Sequence, residues 1–185
     1  MPKVHDFNEK LAKTIEPNAA IDAYFEPIFW VDKKVPREVD LIGIDRYFVN
    51  KKYNGVFGIE YKCDERAHDT GNAFVEYEAN DKTKKLGWGL SCRAQYIAYY
   101  IPQEMRGWLM NAVTIKIRLV EEWLPKMEQG IYEKRPAKNA TYNSWGVCVP
   151  LADFTRTGVW LEFSTAKVIQ EMKNGRSEST DSTTE

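Results

Sequence analysis

The sequence predicts one α/β domain, in which a central mixed β-sheet of about four to six strands is flanked by helices. Three features favour this class: helical apolar spacing at the start of the chain, strand-like segments with turn signals in the middle, and a helical pattern over residues 112–127. The 185 residues, 43% of them hydrophobic, suit one domain rather than two. We predict a folded domain over residues 1–172 and a disordered polar tail over residues 173–185.

The first thirty residues are predicted to be helical. Between Phe7 and Phe29, the apolar side chains recur mostly at spacings of three, four and six residues. Pro17 and Asn18 divide this pattern, so we expect two helices, with Pro17 in or near the first turn of the second. A basic loop, Lys33 to Arg37, follows.

A β-hairpin is predicted next. Residues 41–49 are rich in strand formers, Asn54-Gly55 is a strong turn signal, and residues 56–62 form the returning strand. The alternation places Gly58, Glu60 and Lys62 on one face of that strand and Phe57, Ile59 and Tyr61 on the other. Further strands are expected at 73–78, 95–101, 145–151 and 159–163.

Residues 111–127 fit two patterns. The apolar residues from Val113 to Leu119 alternate as in a strand, but those from Val113 to Met127 also fit one face of a helix. The length of the segment and its Glu-Glu-Trp-Leu continuation favour the helix. We predict a polar connection over residues 134–143.

Composition excludes several classes of protein. No apolar run approaches the ~18–20 residues that span a bilayer, and the first ten residues lack the apolar stretch of a secretory signal. Cys63, Cys92 and Cys148 match neither a disulfide framework nor a metal-binding pair, so a reducing cytoplasm is expected. A net charge of −1 argues against a strongly basic coat protein of nucleic acids but leaves a nucleic-acid partner open.

Asp45, Glu60 and Lys62 carry the chemistry. The predicted hairpin places Asp45 on its first strand, and the turn can bring Glu60 and Lys62 beside it. Two close carboxylates repel unless a cation lies between them, and hard oxygen ligands select Mg²⁺ or Mn²⁺. Such a cation polarises a phosphoryl oxygen and activates water, while Lys62 could orient the water and neutralise the developing charge. These groups suit hydrolysis of a phosphodiester; the alternative is a plain ion-pair cluster on an exposed hairpin.

The same residues resemble a nuclease signature. Ile44-Asp45-Arg46, a turn and Ile59-Glu60-Tyr61-Lys62 look like the motif of the PD-(D/E)XK, or restriction-endonuclease-like, superfamily. The resemblance spans roughly Asp40 to Pro102 and includes Thr70-Gly71-Asn72 followed by Phe74-Val75-Glu76. Ile44 stands where the signature nominally has proline.

The resemblance implies a restriction-endonuclease-like fold and assigns roles to individual residues. Asp45 and Glu60 would be metal ligands, with the backbone carbonyl of Tyr61 as a further ligand, and Lys62 would be the catalytic lysine. The family often adds an acidic residue from the first helix, for which three residues qualify: Glu9, Glu16 and Glu26.

Other residues are candidates for supporting roles. Asn72 could bind phosphate and Glu76 could supply a third carboxylate; alternatively, residues 70–72 form a turn and Glu76 is a solvated strand residue. Five residues are candidate nucleic-acid contacts, by charge or by stacking: Lys82, Lys84, Lys85, Trp88 and Arg93.

The sequence therefore predicts a Mg²⁺- or Mn²⁺-dependent nuclease that hydrolyses phosphodiester bonds in DNA, with structure-selective or weak sequence preference. The alternative is an inactive protein of the same fold that binds DNA or a protein partner in a regulatory or anti-defence role. DNA is the expected partner, no membrane is expected, and a homodimer is left open.

Overall fold

A computed structural model describes residues 17–53 and 55–162. Within these ranges the chain is an α/β protein with helices and a mixed sheet, and no helix there is long and apolar enough to cross a membrane. The predicted helix before Pro17 and the polar tail lie outside the described residues. The strands are β1 (Phe29–Asp32), β2 (Arg46–Asn50), β3 (Val56–Cys63), β4 (Asn72–Asn80), β5 (Lys85–Leu86), β6 (Tyr96–Ile101), β7 (Arg106–Asn111), β8 (Glu133–Lys138), β9 (Asn143–Pro150) and β10 (Val159–Glu162).

The helices are short except for those at either side of the sheet. They are α1 (17–25), α2 (Arg37–Asp40), α3 (Ala67–Thr70), α4 (Trp88–Ser91), α5 (Ala112–Arg118), α6 (Leu124–Glu128) and α7 (Leu151–Phe154). A π-helical turn, Leu119–Trp123, joins α5 to α6 and ends just before Pro125, which has no N–H to continue an α-helical ladder. The predicted helix over residues 112–127 is confirmed, and Asn111 caps it by accepting the Thr114 N–H at 3.1 Å.

Two sheets form the framework. The large sheet has the strand order β1-β2-β3-β6-β7-β10, and β3 and β6 are its one parallel pair. The small sheet has the order β5-β4-β9-β8 and is antiparallel. Parallel neighbours need a long crossover, and the chain between β3 and β6 provides it with α3, β4, β5 and α4.

Each face of the large sheet is covered by a different layer. On one face Ile59 and Tyr61 of β3 pack with Ile21 and Phe25 of α1. On the other, residues of β6 and β7 pack with the small sheet and the α5–α6 region; this core includes Ile97, Tyr99, Met110, Val75, Val147, Ile115, Leu119 and Trp123. Glu60 and Lys62 point to the second face, because residues alternate along a strand.

The predicted hairpin is confirmed, with a later start for its first strand. β2 pairs antiparallel with β3 in the register Arg46↔Ile59 through Val49↔Val56. Leu41 to Gly43 form a turn in which Leu41 is 61% exposed and Gly43 has φ +81°, so the strand cannot begin at residue 41. Asp45 thus lies directly before β2 and not within it.

Three further expectations are corrected. Residues 29–32 are a strand, not helix, because Phe29 and Val31 alternate with exposed neighbours and pair with β2. The predicted third strand, now β4, belongs to the small sheet. The expected polar connection over residues 134–143 contains β8, an edge strand whose side chains are all exposed and which carries Pro136.

Gly87 and Gly89 allow α4 to approach β4 closely. A Cβ on Gly87 would lie 2.4 Å from the Glu76 carbonyl oxygen, and one on Gly89 would lie 2.9 Å from the same oxygen and 2.7 Å from Leu119 Cδ2. Only glycine fits at such distances, and the close approach fixes Trp88, which lies between them.

Gly87→Ala is expected to destabilise the fold by about 3 kcal/mol, because the added methyl group must displace backbone. The matched control is Gly71→Ala, where φ is +65° and no atom lies within 4 Å of the new Cβ. At Gly71, the substitution costs only the strain of an alanine in the left-handed backbone region, which lowers the free energy of unfolding by about 1 kcal/mol. Urea unfolding measures both; a smaller loss for Gly87→Ala than for Gly71→Ala would contradict the close packing of α4.

Candidate active site

Asp45 is bound to β3 through both its backbone and its side chain. Its N–H donates to the Ile59 carbonyl at 2.9 Å, and its carboxylate accepts the Tyr61 N–H at 2.6 Å. The ladder between β2 and β3 begins at Arg46↔Ile59, so the side chain replaces a strand partner just beyond the end of that ladder. The two bonds hold the carboxylate beside β3.

Glu60 and Lys62 lie next to this carboxylate on the same face of β3. Glu60 is 5% exposed, and the side chain of Lys62 is 27% exposed. The Lys62 ammonium forms an ion pair with the Glu60 carboxylate, and both groups interact electrostatically with Asp45. The structure therefore brings together the three residues that the sequence singled out.

The carboxylate of Asp45 lies in an unfavourable environment for a negative charge. Burial, and secondarily the charge of Glu60, raise the pKa of Asp45 to about 7; Asp40 of α2 adds a smaller increase. The Tyr61 N–H and the Lys62 ammonium act in the opposite direction but do not cancel these effects. The site lacks enough positive charge to hold both carboxylates ionised at low cost.

Lys62 is the cation nearest to this pair. Burial acts to lower the pKa of Lys62, but the neighbouring carboxylates of Glu60 and Asp45 outweigh burial and raise it, so the amine is an ammonium at neutral pH. Its Nζ lies 5.7 Å from the ring centroid of Trp88. Trp88, predicted as a nucleic-acid contact, is thereby placed beside the carboxylate pair.

The residues present fit a hard divalent cation. Mg²⁺ is commonly held by one or two protein carboxylates with water and substrate phosphate completing its shell. Asp45 and Glu60 supply two carboxylates whose mutual repulsion a cation would relieve. Within residues 17–53 and 55–162, no three or more His, Cys, Asp or Glu side chains are grouped so as to hold a metal ion. The role of Glu76 as a third carboxylate stays a prediction.

The predicted accessory residues have structural partners. Asn72 donates its side-chain N–H to the Thr70 carbonyl at 2.7 Å, and Gly71, with φ +65°, ends α3 directly before β4 begins at Asn72. Glu26 lies in the connection from α1 to β1 and is ion-paired with Lys33 at 2.6 Å. Glu9 and Glu16 lie outside the described residues.

The predicted basic contacts are spread over two places. Lys82, Lys84 and Lys85 are exposed around the turn from β4 to β5, and Lys84 is ion-paired with Glu78 at 3.0 Å. Arg93 is exposed after α4, and its N–H donates to the Ile42 carbonyl at 2.9 Å. Of the five candidates, Trp88 lies beside Lys62, with its ring centroid 5.7 Å from the Lys62 Nζ.

Asp22 is the buried acidic residue of α1, and it was not among the acidic residues predicted as metal ligands from the sequence. It is 3% exposed, pairs with Arg46 at 3.0 Å and accepts a hydrogen bond from the Tyr61 hydroxyl at 2.8 Å. Tyr61 points to the α1 face of the large sheet, so Asp22 lies across the sheet from Glu60. Asp22 follows Ile21 and precedes Phe25 by three residues, so the sequence places it on the apolar side of the helix. An acidic residue at such a position is the feature that could have identified it.

A cavity of about 260 Å³ adjoins Lys62 at the carboxyl end of β3. We call it the Lys62 cavity; its polar lining is formed by Lys62, Asp64, Arg66, Thr70, Asn72 and Arg135. Arg66 and Arg135 were not selected from the sequence.

No protein-family model, no curated protein and no solved structure matches this chain.

The raised pKa of Asp45 predicts a pH-dependent gain in stability for Asp45→Asn in metal-free protein. The folded state holds a proton on Asp45 up to about pH 7, whereas the ordinary pKa is 3.8. Wild-type stability should therefore fall as pH rises from about 4 to 7, while the amide does not titrate. The variant should gain about 4 kcal/mol at pH 8 and little near pH 4.

Thermal unfolding in EDTA across this pH range measures the effect. Asp69→Asn, which changes an exposed carboxylate in α3, is the control and should show no such trend. If Asp45→Asn lowered the melting temperature at pH 8, or raised it equally at every pH, the raised pKa of Asp45, caused first by burial and second by the charge of Glu60, would be refuted.

Proposed function

We propose that this protein is a Mg²⁺-dependent nuclease that hydrolyses phosphodiester bonds in DNA. One observation carries the proposal: the Asp45 and Glu60 carboxylates and the Lys62 ammonium meet on one face of β3. Mn²⁺ has the same preference for hard oxygen ligands and is expected to substitute for Mg²⁺.

The two carboxylates would hold the metal, with the Tyr61 carbonyl as the predicted third ligand. A bound dication supplies two kinds of chemistry, polarisation of a phosphoryl oxygen and a lower pKa for bound water. Asp45 is well suited to this role, because its hydrogen bond from the Tyr61 N–H fixes the carboxylate before any ligand arrives.

Lys62 has two consecutive tasks in this proposal. Without metal, its ammonium neutralises Glu60. With a dication between the carboxylates, the ammonium is available to orient water and to neutralise charge that develops on the phosphorus-bound oxygens in the transition state. Its contact with Trp88 keeps it at the border of the Lys62 cavity.

The restriction-endonuclease-like fold is part of the same proposal. The β2–β3 hairpin, the parallel neighbour β6 and the cover of α1 over one face of a mixed sheet support it. The small sheet, which covers the other face, is a feature the sequence did not lead us to expect. Structure-selective or weakly sequence-specific cleavage in the cytoplasm is the corresponding expectation, and the three cysteines are free, as in a reducing compartment.

A protein that binds DNA or a protein partner without cutting is the second candidate. The observation that favours it is the ion pair between Lys62 and Glu60, which neutralises Glu60 in the absence of metal. If that pair persists in solution with divalent ions present, the face is an ion-pair cluster with a binding role.

Lys62→Ala is expected to lower the rate of Mg²⁺-dependent DNA cleavage by about 10²–10³-fold, since the ammonium acts mainly on transition-state charge. Thermal stabilisation by Mn²⁺ should persist, because both carboxylates remain. Lys52→Ala, in the exposed β2–β3 turn at the other end of the hairpin, is the matched control and should cleave normally. Unchanged cleavage by folded Lys62→Ala would remove this residue from the mechanism.

Asp45→Asn is expected to abolish most Mn²⁺ binding, which separates the two candidate functions. Binding to the folded state alone raises the melting temperature, so the wild type should be stabilised by Mn²⁺ and the variant only weakly. DNA affinity in EDTA should be equal or higher for the variant, because a negative charge near the phosphates is lost. Titration calorimetry with Mn²⁺ decides the matter: equal binding by both proteins, or no binding by either even with DNA present, would leave the non-cutting candidate.

A further inference from the structure

The Lys62 cavity lies where the parallel strands β3 and β6 place their carboxyl ends. Lys62 and Asp64 come from the end of β3 and the residue that follows it, and Tyr99 comes from the adjacent β6. Ligands of α/β proteins commonly bind outside the carboxyl ends of parallel strands. The small sheet closes the opposite side of the cavity with Phe74 and Arg135.

Its rim is cationic. Lys62, Arg66 and Arg135 line it. The Lys62 ammonium is ion-paired with Glu60, whereas the Arg66 side chain is exposed with no ion-pair partner among the described residues. Arg135 is held through its Nε by Glu133 at 2.6 Å, and its side chain is 44% exposed. These charges suit an anionic group such as a phosphate.

Asp64 is the one carboxylate in the described part of the chain that lines the cavity, and it is already hydrogen-bonded to neighbouring residues. Asp64 accepts a hydrogen bond from the Tyr99 hydroxyl at 2.6 Å and one from the Phe74 N–H at 3.2 Å. It also accepts the N–H groups of Arg66 and Ala67 at 3.0 Å, which fixes the start of α3 and the position of Arg66. Asp64 therefore joins β3, α3, β4 and β6 at the cavity and fixes the backbone of Arg66.

The walls behind this rim are aromatic and apolar. Trp88 and Phe74 present rings, and Pro136 and Ala137 of β8 complete the surface. Nucleobases stack on aromatic side chains without regard to sequence. A volume of about 260 Å³ is slightly below the range of ~300–1,000 Å³ common for small-molecule sites, so it suits one nucleotide and excludes a base pair.

We propose that the Lys62 cavity binds one unpaired nucleotide of the DNA substrate, with the base between Trp88 and the wall of the small sheet and its phosphate on Arg66 and Arg135. This inference rests on the proposed function, because Lys62 belongs both to the cavity and to the carboxylate site. It defines the substrate class: DNA with an unpaired nucleotide at an end, flap or gap is bound in preference to continuous duplex.

The test is DNA binding in EDTA, where cleavage cannot occur. Fluorescence anisotropy compares a labelled single-stranded oligodeoxynucleotide with a labelled blunt hairpin duplex, each with wild type and with Arg66→Gln/Arg135→Gln. Both arginines are exposed, so the variant is expected to fold. Wild type should bind the single strand more tightly, and the double variant should lose roughly tenfold for the single strand with little change for the duplex.

Lys134→Gln is the matched control. It removes one positive charge from β8 next to Arg135, but Lys134 points to the other face of the strand, over the rings of Trp145 and Tyr77. It should leave the preference for single strands unchanged. Equal affinity of wild type for both DNAs, an equal loss for both with the double variant, or an equal loss with Lys134→Gln would overturn the proposal.

Failure of the cavity and failure of the nuclease are distinguishable. If wild type cleaves DNA with Mg²⁺ but shows none of these binding preferences, the cavity proposal is wrong and the carboxylate site stands. If the arginine-dependent preference is found and no substrate is cleaved, the cavity binds an unpaired nucleotide in a protein that does not cut. Absence of DNA binding in EDTA together with absence of Mg²⁺-dependent cleavage would overturn both.

Discussion

The hydrogen bond from the Tyr61 N–H to the Asp45 carboxylate is the contact on which the candidate site depends. At 2.6 Å it substitutes for a backbone partner just where β2 stops pairing with β3. The segment between α2 and β2 is also attached to β3 through the Asp45 N–H and through packing of Ile44 beside Gly58. The Tyr61 hydrogen bond also holds the Asp45 carboxylate close enough to Glu60 for the Glu60 charge to raise its pKa. Asp45 therefore takes part both in the pairing with β3 and in the charge repulsion with Glu60.

The crossover between β3 and β6 explains the rest of the site. Two adjacent parallel strands need a long connection, and this chain builds the small sheet and α4 into it. The connection returns over the face of the large sheet that carries Glu60 and Lys62. Its glycines at 87 and 89 let α4 pack closely on β4, so Trp88 reaches the Lys62 ammonium. The same piece of structure therefore forms the wall of the cavity and positions a residue beside the carboxylates.

The sequence was informative where a local pattern determines the structure. Alternation and the Asn54-Gly55 signal predicted the hairpin, and helical spacing predicted α1 and the α5–α6 region, because one apolar face suffices for each. β8 was missed because Glu133 to Lys138 are all exposed and show no alternation. Membership of two separate sheets depends on long-range pairing, such as Phe74 with Cys148, which no local window contains.

The site residues divide in the same way. Asp45, Glu60 and Lys62 could be selected because a short hairpin joins them. Arg66 and Arg135 could not, because a loop after β3 and a distant edge strand bring them to one cavity only after the small sheet has formed. Asp22 was overlooked in favour of Glu9, Glu16 and Glu26, although its place on the apolar side of α1 distinguishes it.

The burial and charge of Asp45 and Glu60 are stronger support for a functional site than their match to a sequence motif. Glu60 is 5% exposed, and Asp45 is held beside it with a pKa raised to about 7, so the fold maintains two acidic groups where one ionised carboxylate disfavours the other. Stability alone does not account for this arrangement, because an amide at either position would keep the shape without the repulsion. A carboxylate with a perturbed pKa in such a position, as Asp45 has, is typical of functional sites. A ligand that supplies positive charge would remove the penalty, and a divalent cation is the simplest group that does so while leaving Lys62 free to act on a phosphate.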